Sequence, residues 1–286
     1  MGALLSDIGL IYAALVWGST FVMVKQAIAG VHPLLLVGYR FLLAAGMLWL
    51  ISIVVRRSNR RPKDLVPGAI VGFVLWLVYV PQTIGLAYTT AANSAFITGL
   101  FVVFVPLFGR IFFDTRPTPK DLLSVLLAVA GLYVLTGKLQ AMNTGDLLTL
   151  ITAAAYALHV LLTDRYVRDG VDPIALCIQQ FVVTAVLSIL LGYVLGAPLE
   201  VRSNEALGAI VFLAVFPTVS AFLIQAYAQR YTTAIKVALI FSLEPVFAAI
   251  FAWTWGGEPF QLHSAVGGLL IVGGMVVSAL PARREL

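Results

Sequence analysis

Three observations in the amino-acid sequence predict an all-α integral membrane protein with ten transmembrane helices, arranged as two inverted five-helix repeats. They are an apolar composition, a series of uncharged runs long enough to cross a bilayer, and a similarity between the two halves of the chain. Of the 286 residues, 61% are hydrophobic and 11% are charged, and the mean hydropathy is +1.00. Soluble domains carry about 25% charged residues. The composition therefore excludes a water-soluble fold.

Ten uncharged runs account for nearly the whole chain. A helix that crosses the hydrocarbon core needs about 20 apolar residues. The connections between the runs are short, so consecutive helices are expected to be antiparallel neighbours. The predicted spans 1 to 10 are Ile8–Ile28, Pro33–Val55, Leu65–Leu86, Ala92–Phe112, Leu122–Thr136, Leu147–Tyr166, Pro173–Leu195, Ala206–Tyr227, Ala234–Trp255 and Leu262–Leu280.

The basic residues predict how these spans are oriented. Only Lys25, Lys138 and Arg202 fall on one side, Arg40 lies inside span 2, and the other 14 Lys and Arg residues share the side of the amino terminus. By the positive-inside rule, both termini are predicted to be cytoplasmic in a multi-pass protein of the inner (plasma) membrane. The 14 residues are Arg56, Arg57, Arg60, Arg61, Lys63, Arg110, Arg116, Lys120, Arg165, Arg168, Arg230, Lys236, Arg283 and Arg284.

The second half of the chain repeats the first. Tyr88-Thr89-Thr90-Ala91 recurs as Tyr231-Thr232-Thr233-Ala234, and Pro106-Leu107-Phe108 is echoed by Pro245-Val246-Phe247. The sequence therefore predicts a first repeat over residues 1–140 and a second over 141–286. Five spans is an odd number, so the second repeat must be inverted across the membrane. Inverted repeats are typical of secondary transporters that work by alternating access.

Several motifs resemble the drug/metabolite transporter superfamily in its ten-helix EamA-type branch. The motifs that carry the resemblance are Trp17-Gly18-Ser19-Thr20-Phe21 with Lys25, Arg40–Ala45, Leu243–Ala248, Gly257-Glu258, and the pairs Gly267-Gly268 and Gly273-Gly274. The resemblance covers the whole chain. It implies export or exchange of amino acids, metabolites, nucleotide sugars or drugs through a central cavity lined mostly by helices 1, 3, 4, 6, 8 and 9. The first repeat's counterpart of Gly257-Glu258 is Phe113-Asp114 in this chain, which departs from the family's pattern.

Two ionisable side chains lie well inside the spans. A charged group at the centre of a membrane helix costs roughly 2.5 to 3.5 kcal/mol by insertion scales, so it is expected to face a cavity or a partner. Glu244, near the middle of span 9, has two interpretations: a proton or substrate-amine site, and a structural hydrogen-bond acceptor beside Pro245. For Arg40, a structural pairing with carbonyls is favoured over contact with a substrate carboxylate.

Polar and aromatic residues at helical spacing predict a substrate site in the middle of the bundle. Such a lining suits a small zwitterionic or neutral solute with an apolar part, whereas phosphates would require several lumenal Lys or Arg. The alternative is that these groups only join helices. The candidate substrate-binding residues are Trp17, Tyr79, Gln82, Thr98, Phe101, Tyr156, His159 and Ser242.

Four prolines lie inside spans, where each removes a backbone donor and frees a carbonyl. Pro81, Pro106, Pro217 and Pro245 fall in spans 3, 4, 8 and 9, which are two repeat-related pairs. They are candidate hinges, and static kinks are the alternative.

Together these observations predict a secondary transporter that exports amino acids, including aromatic and neutral ones, or similar small metabolites. The alternative within the same fold is a proton antiporter for drugs or toxic compounds. A channel and an intramembrane enzyme are the alternatives from other classes, but no catalytic motif supports an enzyme. No Gly-x-x-x-x-Gly-Lys-Ser/Thr loop occurs, so ATP is not expected to drive transport directly.

The expected partners are a small-molecule substrate and membrane lipid. No cofactor, no metal and no nucleic acid are expected. The glycines of span 10 suit close helix packing, either within one chain or across a homodimer, and a monomer would suffice.

Overall fold

The computed structural model describes residues 2–54, 65–136, 143–254 and 259–280, and the regular structure in these ranges is helical. It forms ten helical segments in chain order, numbered α1 to α10 here, which confirms the predicted all-helical membrane fold. Four segments are interrupted. The bounds are α1, Gly2–Gly18 and Thr20–Ala27; α2, Pro33–Val54; α3, Leu65–Gly85; α4, Ala91–Gly99 and Phe101–Phe112; α5, Pro119–Thr136; α6, Thr144–Arg168; α7, Pro173–Val194; α8, Asn204–Ala214, Val215–Ser220 in π conformation and Ala221–Ala228; α9, Ala234–Phe241 and Glu244–Thr254; and α10, Leu262–Ala279.

Eight of these segments are long and apolar enough to cross a membrane, and Leu262–Ser278 forms a shorter apolar helix. Several helices extend a few residues beyond their predicted ends. The α6 helix begins at Thr144 rather than Leu147, since Asn143 and Asp146 form a capping box that satisfies the first backbone donors. It continues to Arg168, a basic residue in its last turn, where a cation is favourable.

The predicted spans 1, 4, 8 and 9 are each confirmed as an apolar stretch long enough to cross a membrane, but the helix within each of them is interrupted. The α1 helix breaks at Ser19, α4 at Leu100, and α9 at Ser242 and Leu243, while α8 contains the π segment. The breaks of α1 and α9 lie against each other, because a Cβ atom added to Gly18 would be 2.6 Å from the carbonyl oxygen of Glu244. Discontinuous helices that meet in the bundle centre are the usual frame of a transporter binding site.

Helix packing follows the inverted repeat. The α2 helix packs on its counterpart α7, and α5 packs on its counterpart α10. The α3–α6 contact has an inverted equivalent in the α1–α8 contact, and α4–α6 has one in α1–α9. Gly267 and Gly274 face α5 at distances that leave no room for a side chain. These two glycines therefore serve packing within one chain.

The repeated Tyr-Thr-Thr-Ala tetrapeptide has the same two roles in both copies. The second threonine, Thr90 or Thr233, caps the following helix. The carbonyl of the first threonine accepts a hydrogen bond from a cation 64 positions earlier: Lys25 binds Thr89, and Arg168 binds Thr232. The first contact lies at the end of the bundle where α1 finishes, here called the distal end. The second lies where α1 begins, here called the proximal end.

Some sequence-based predictions fall outside the described residues. They are the basic residues Arg56, Arg57, Arg60, Arg61, Lys63, Lys138, Arg283 and Arg284, the end of span 9 at Trp255, and the Gly257-Glu258 pair.

Candidate functional site

A small cavity of about 30 Å³ lies between the two repeats, in the half of the bundle toward the distal end. Residues from α1, α2, α3 and α4 line it together with residues from α6 and α9 of the second repeat. The lining residues are Trp17, Thr20, Phe21, Val24, Arg40, Val78, Tyr79, Gln82, Thr83, Leu86, Thr98, Tyr156 and Glu244. This volume is below the range of small-molecule sites, about 300 to 1,000 Å³, so the cavity would have to widen to hold a substrate.

Aromatic rings close this cavity toward the proximal end. Trp17 lies at the centre of the layer, with its ring centroid 4.8 Å from Phe241, 5.2 Å from Phe222 and 6.0 Å from Tyr156. Its indole Nε1 donates a 2.7 Å hydrogen bond to the carbonyl of Pro217 in the π segment of α8. Because that bond spans the two repeats, Trp17 holds the break of α1 against the irregular part of α8.

Arg40 is a buried cation on the cavity wall, with 4% of its surface exposed. Its Nε donates a 2.6 Å hydrogen bond to Thr218 Oγ1, and its Nη2 lies 3.5 Å from Tyr79 Oη. The guanidinium carbon sits 4.6 Å from the centroid of the Tyr79 ring. Among the described residues, Arg40 forms no ion pair with a carboxylate.

Glu244 is a carboxyl on the same cavity, 7% exposed, and it begins the second piece of α9 immediately after the break. In the part of the chain that the structure describes, its side chain has neither a hydrogen bond nor an ion pair. Its position at the start of a helical piece favours a negative charge, because the free N–H groups there carry partial positive charge.

Neutral polar groups complete the lining. Gln82 Nε2 donates a 2.9 Å hydrogen bond to Thr98 Oγ1, which links α3 to the first piece of α4. Thr20 and Thr83 are buried on the same wall. The cavity therefore offers aromatic surface, neutral hydrogen-bonding groups, one cation and one carboxyl.

The structure brings six of the predicted site residues together and leaves three outside the cavity lining. Trp17, Tyr79, Gln82, Thr98, Tyr156 and Glu244 all line it. Phe101 is buried under the Tyr156 ring at 4.6 Å. His159 bonds Gln180 Oε1 at 2.8 Å, and Ser242 donates 2.6 Å to the carbonyl of Leu239. No direct access to the cavity remains for these three in this conformation.

Sequence reasoning missed Thr20, Phe21 and Val24, although a signal was present. With Trp17 they follow the i, i+3, i+4, i+7 spacing of one helix face. The motif Trp17–Phe21 carries the family resemblance, and its spacing also predicts this wall of the cavity.

Buried polar atoms without partners continue beyond the aromatic layer. Tyr156 Oη, His159 Nδ1 and Thr163 Oγ1 lie along one face of α6, and Gln225 Oε1 lies on α8. The α8 helix packs against this part of α6. The Phe222 and His159 ring centroids are 5.6 Å apart, and Gln229 Nε2 donates a 2.8 Å hydrogen bond to the Val160 carbonyl. Unpaired buried polar atoms are rare in stable cores, so this strip marks a region with an incomplete hydrogen-bond network.

Two of the four candidate hinge prolines lie in regular helix, and two lie in or beside a helical irregularity. Pro81 and Pro106 are inside regular helix, Pro217 is in the π segment, and Pro245 is the second residue of its helical piece. Near Pro217, Thr218 Oγ1 donates a 2.7 Å hydrogen bond to the carbonyl of Leu213, which a proline at 217 cannot bond. The hinge role of these prolines stays a prediction.

Two inverted five-helix repeats around a central polar cavity define a multi-pass membrane transporter. The model of the EamA-like transporter family matches residues 4–137 and again 143–280, so the chain belongs to this family.

Similar proteins carry the same general description. An uncharacterized transporter of Archaeoglobus fulgidus is 31% identical over 277 residues, which cover 97% of this chain and 86% of the relative. The uncharacterized transporter YyaM of Bacillus subtilis is 27% identical, with 92% of this chain and 89% of the relative covered. The uncharacterized inner membrane transporter YedA of Escherichia coli is 26% identical, with 85% and 80% covered. A solved crystal structure has the same fold, with a TM-score of 0.81 over 98% of both chains at 22% identity.

Proposed function

We propose that this protein is a secondary transporter of the inner membrane that exports amino acids or similar small metabolites by alternating access. In this proposal, residues 1–140 and 141–286 form the two repeats. The proximal end and both termini face the cytoplasm. The described basic residues at the proximal end, such as Arg116, Lys120 and Arg165, support that orientation. The similarity to an inner membrane transporter supports the proposed location in that membrane.

The observation that carries the proposal is the polar cavity between the repeats, where the breaks of α1 and α9 meet. It holds only two charged side chains, Arg40 and Glu244, among aromatic and neutral polar groups. A small zwitterion with an apolar part matches that chemistry, whereas a polyphosphate would face Glu244 with a single cation to balance it.

Alternating access supplies the transport cycle. The cavity is separated from the proximal end by the aromatic layer of Trp17, Phe222 and Phe241. A rocking motion of one repeat against the other would separate these rings and close the distal half. The substrate would then be exposed to one side of the membrane at a time, without movement of the site itself.

Glu244 is the candidate coupling group. If it carries a proton through the cycle, transport by reconstituted protein will depend on a pH gradient, and Glu244→Gln will abolish that dependence. If Glu244→Gln keeps the full dependence on the gradient, Glu244 is not the proton site. A protein without any such dependence would be a facilitator that moves solute down its own gradient.

The substrate class is tested in a host strain that lacks amino-acid exporters. Expression of this protein should restore growth on toxic concentrations of amino acids or their analogues, and purified protein in liposomes should move the same compounds. Leu190→Ala, at an exposed α7 position, is the matched control and should behave like wild type. Movement of organic cations without movement of amino acids would favour the drug antiporter instead.

The orientation is tested by cysteine labelling after replacement of the buried Cys177. A cysteine at Glu200, in the distal connection, should react with an impermeant reagent on intact cells. A cysteine at Asp169, at the proximal end of α6, should react only after permeabilisation. Reaction of both from the same side would contradict the inverted arrangement across the membrane.

A further inference from the structure

The cavity contains two opposite charges that do not neutralise each other. Arg40 and Glu244 form no ion pair, so no nitrogen of Arg40 lies within 4.0 Å of a Glu244 oxygen. Neither side chain has another charged partner among the described residues. A buried ion without a counter-ion is strongly unfavourable. Arg40 stays charged and therefore favours an anionic partner. Glu244 can be neutral when protonated, and its carboxylate form would be stabilised by a cationic partner.

The Arg40 guanidinium is held in one orientation. Its Nε donates to Thr218 Oγ1 at 2.6 Å, and that hydroxyl in turn donates to the Leu213 carbonyl at 2.7 Å. The guanidinium also lies over the Tyr79 ring, and its Cζ atom is 4.6 Å from the ring centroid. With Nε occupied, the Nη1 and Nη2 donors remain, and their only described contact is the 3.5 Å approach to Tyr79 Oη. Two adjacent N–H donors in a fixed plane match the two oxygens of a carboxylate.

The Glu244 carboxyl lies at a different wall of the same cavity, on α9 of the second repeat. It has no described hydrogen-bond donor, so an ammonium group of a ligand would find both oxygens free. Trp17, Phe21 and Tyr156 add aromatic surface near both charges. The arrangement separates a carboxylate-binding group from an ammonium-binding group by more than 4.0 Å.

We propose that Arg40 binds the carboxylate of the substrate and Glu244 binds its ammonium, so that the site selects α-amino acids with apolar or aromatic side chains. This inference rests on the proposed transport function and specifies its substrate class. It assigns Arg40 to substrate binding, whereas the sequence alone favoured a structural role. A bound zwitterion balances both buried charges at once, which a neutral solute or a simple amine does not.

The experiment measures how three related compounds compete with radiolabelled L-phenylalanine for purified protein in liposomes. Phenylalanine amide lacks the carboxylate, N-acetylphenylalanine lacks the ammonium, and unlabelled L-phenylalanine has both. Loss of one partner of a buried charged pair weakens binding by about thirtyfold or more. Wild type should therefore reject both derivatives by at least that factor.

The two variants should show opposite patterns. Arg40→Gln should weaken L-phenylalanine binding and bring phenylalanine amide to within about threefold of it, because no cation remains to require a carboxylate, while N-acetylphenylalanine stays rejected. Glu244→Gln should bring N-acetylphenylalanine to within about threefold of L-phenylalanine, while the amide stays rejected. A merely structural Arg40 would weaken all three compounds by the same factor, and that outcome would overturn the assignment.

A second variant covers the case in which Arg40→Gln does not fold. Thr218→Val keeps the cation but removes the hydrogen bond that orients it, so discrimination against the amide should fall by about tenfold. The melting temperature should fall as well, because Arg40 Nε and the Leu213 carbonyl lose their partner, but the change in selectivity is measured on the folded protein. Full discrimination in Thr218→Val and in Arg40→Lys would contradict a bidentate contact. If wild type binds no amino acid at all, the proposed function fails. If wild type binds them but neither variant changes selectivity, only the present inference fails.

Discussion

The distal and proximal ends of the bundle are built from equivalent positions but closed by different chemistry. At the distal end, Thr89 Oγ1 and Asn93 Nδ2 each donate a 2.6 Å hydrogen bond to Asp146 Oδ1, and Asp146 is 1% exposed. At the proximal end, Lys236 pairs with Asp7 at 2.7 Å, and both side chains are about one quarter exposed, at 27% and 26%. Asn93 and Lys236 are each the third residue of their helices, Ala91–Gly99 and Ala234–Phe241.

Each of these contacts joins the two repeats, because Asn93 and Asp7 belong to the first repeat while Asp146 and Lys236 belong to the second. The buried distal network loses desolvated hydrogen bonds when it breaks. In the partly exposed proximal ion pair, each charge can exchange its partner for water at low cost. Under the proposed cycle, the proximal end should therefore open more easily than the distal end. An exporter that loads from the cytoplasm has that requirement.

The interior shows the same asymmetry. Aligned on the repeated tetrapeptide, Phe222 corresponds to Tyr79, and Phe241 corresponds to Thr98. The first repeat thus presents polar groups to the cavity where the second presents phenyl rings that are buried in the aromatic layer. At these equivalent positions, the duplicated fold therefore has a polar cavity wall in one repeat and a hydrophobic closure in the other.

The largest effect is expected from Phe222→Ala. Removal of a fully packed ring from a core lowers the free energy of unfolding by about 3–5 kcal/mol, and here it also thins the proximal closure. The melting temperature in detergent should fall markedly. Tyr79→Phe, the repeat-equivalent control that keeps the ring, should change stability by less than about 1 kcal/mol. Equal losses in both variants would show that the two halves do not differ in this respect.

A smaller effect is expected from Asp146→Ala. The variant removes the acceptor for Thr89 and Asn93 and one half of the capping box, which together should lower stability by about 2–3 kcal/mol. The distal end should open more often, so a cysteine at Thr98 should react faster with an impermeant reagent from outside. Asp146→Asn keeps one acceptor and should lie between wild type and Asp146→Ala. An unchanged labelling rate would contradict the role of this network in distal closure.

The smallest effect is expected from Asp7→Asn. A partly exposed ion pair contributes at most about 1 kcal/mol and is weakened by salt. Labelling of a cysteine at Thr163 in inside-out vesicles should rise severalfold in the variant at low salt, and the difference from wild type should shrink at high salt. The exchange of charges in Asp7→Lys with Lys236→Asp should restore the wild-type rate. If the exchanged pair labels like the single variant, the ion pair does not hold the proximal end.

The membrane fold could be predicted because burial in lipid demands long apolar runs, and each run is visible without knowledge of its neighbours. The helix breaks could not, since they depend on contacts between helices, such as the approach of Gly18 to the backbone at the break of α9. Pro245 was a local signal for irregularity, but the break at Ser19 has no proline.

The candidate site was accessible to sequence reasoning where a residue was unusual for its setting. Glu244, Tyr79 and Gln82 were selected because polar groups inside spans are costly, and all three line the cavity. His159 satisfied the same criterion, yet it bonds Gln180. The difference depends on which helix faces it, which periodicity within one helix does not encode. Arg40 was predicted to lie inside span 2, and it lies in α2. Its position on the cavity wall depends on the tertiary positions of Thr218 and Tyr79.

The strip of unpaired atoms on α6 and α8 has a thermodynamic consequence. Tyr156 Oη, His159 Nδ1, Thr163 Oγ1 and Gln225 Oε1 are buried without a hydrogen-bond partner among the described residues. Exposure of these groups to bulk water on opening would give them hydrogen-bond partners and so offset part of the ring packing lost on separation. The two end states would then lie close in energy, and the modest binding energy of a single small solute would suffice to tip the molecule from one to the other.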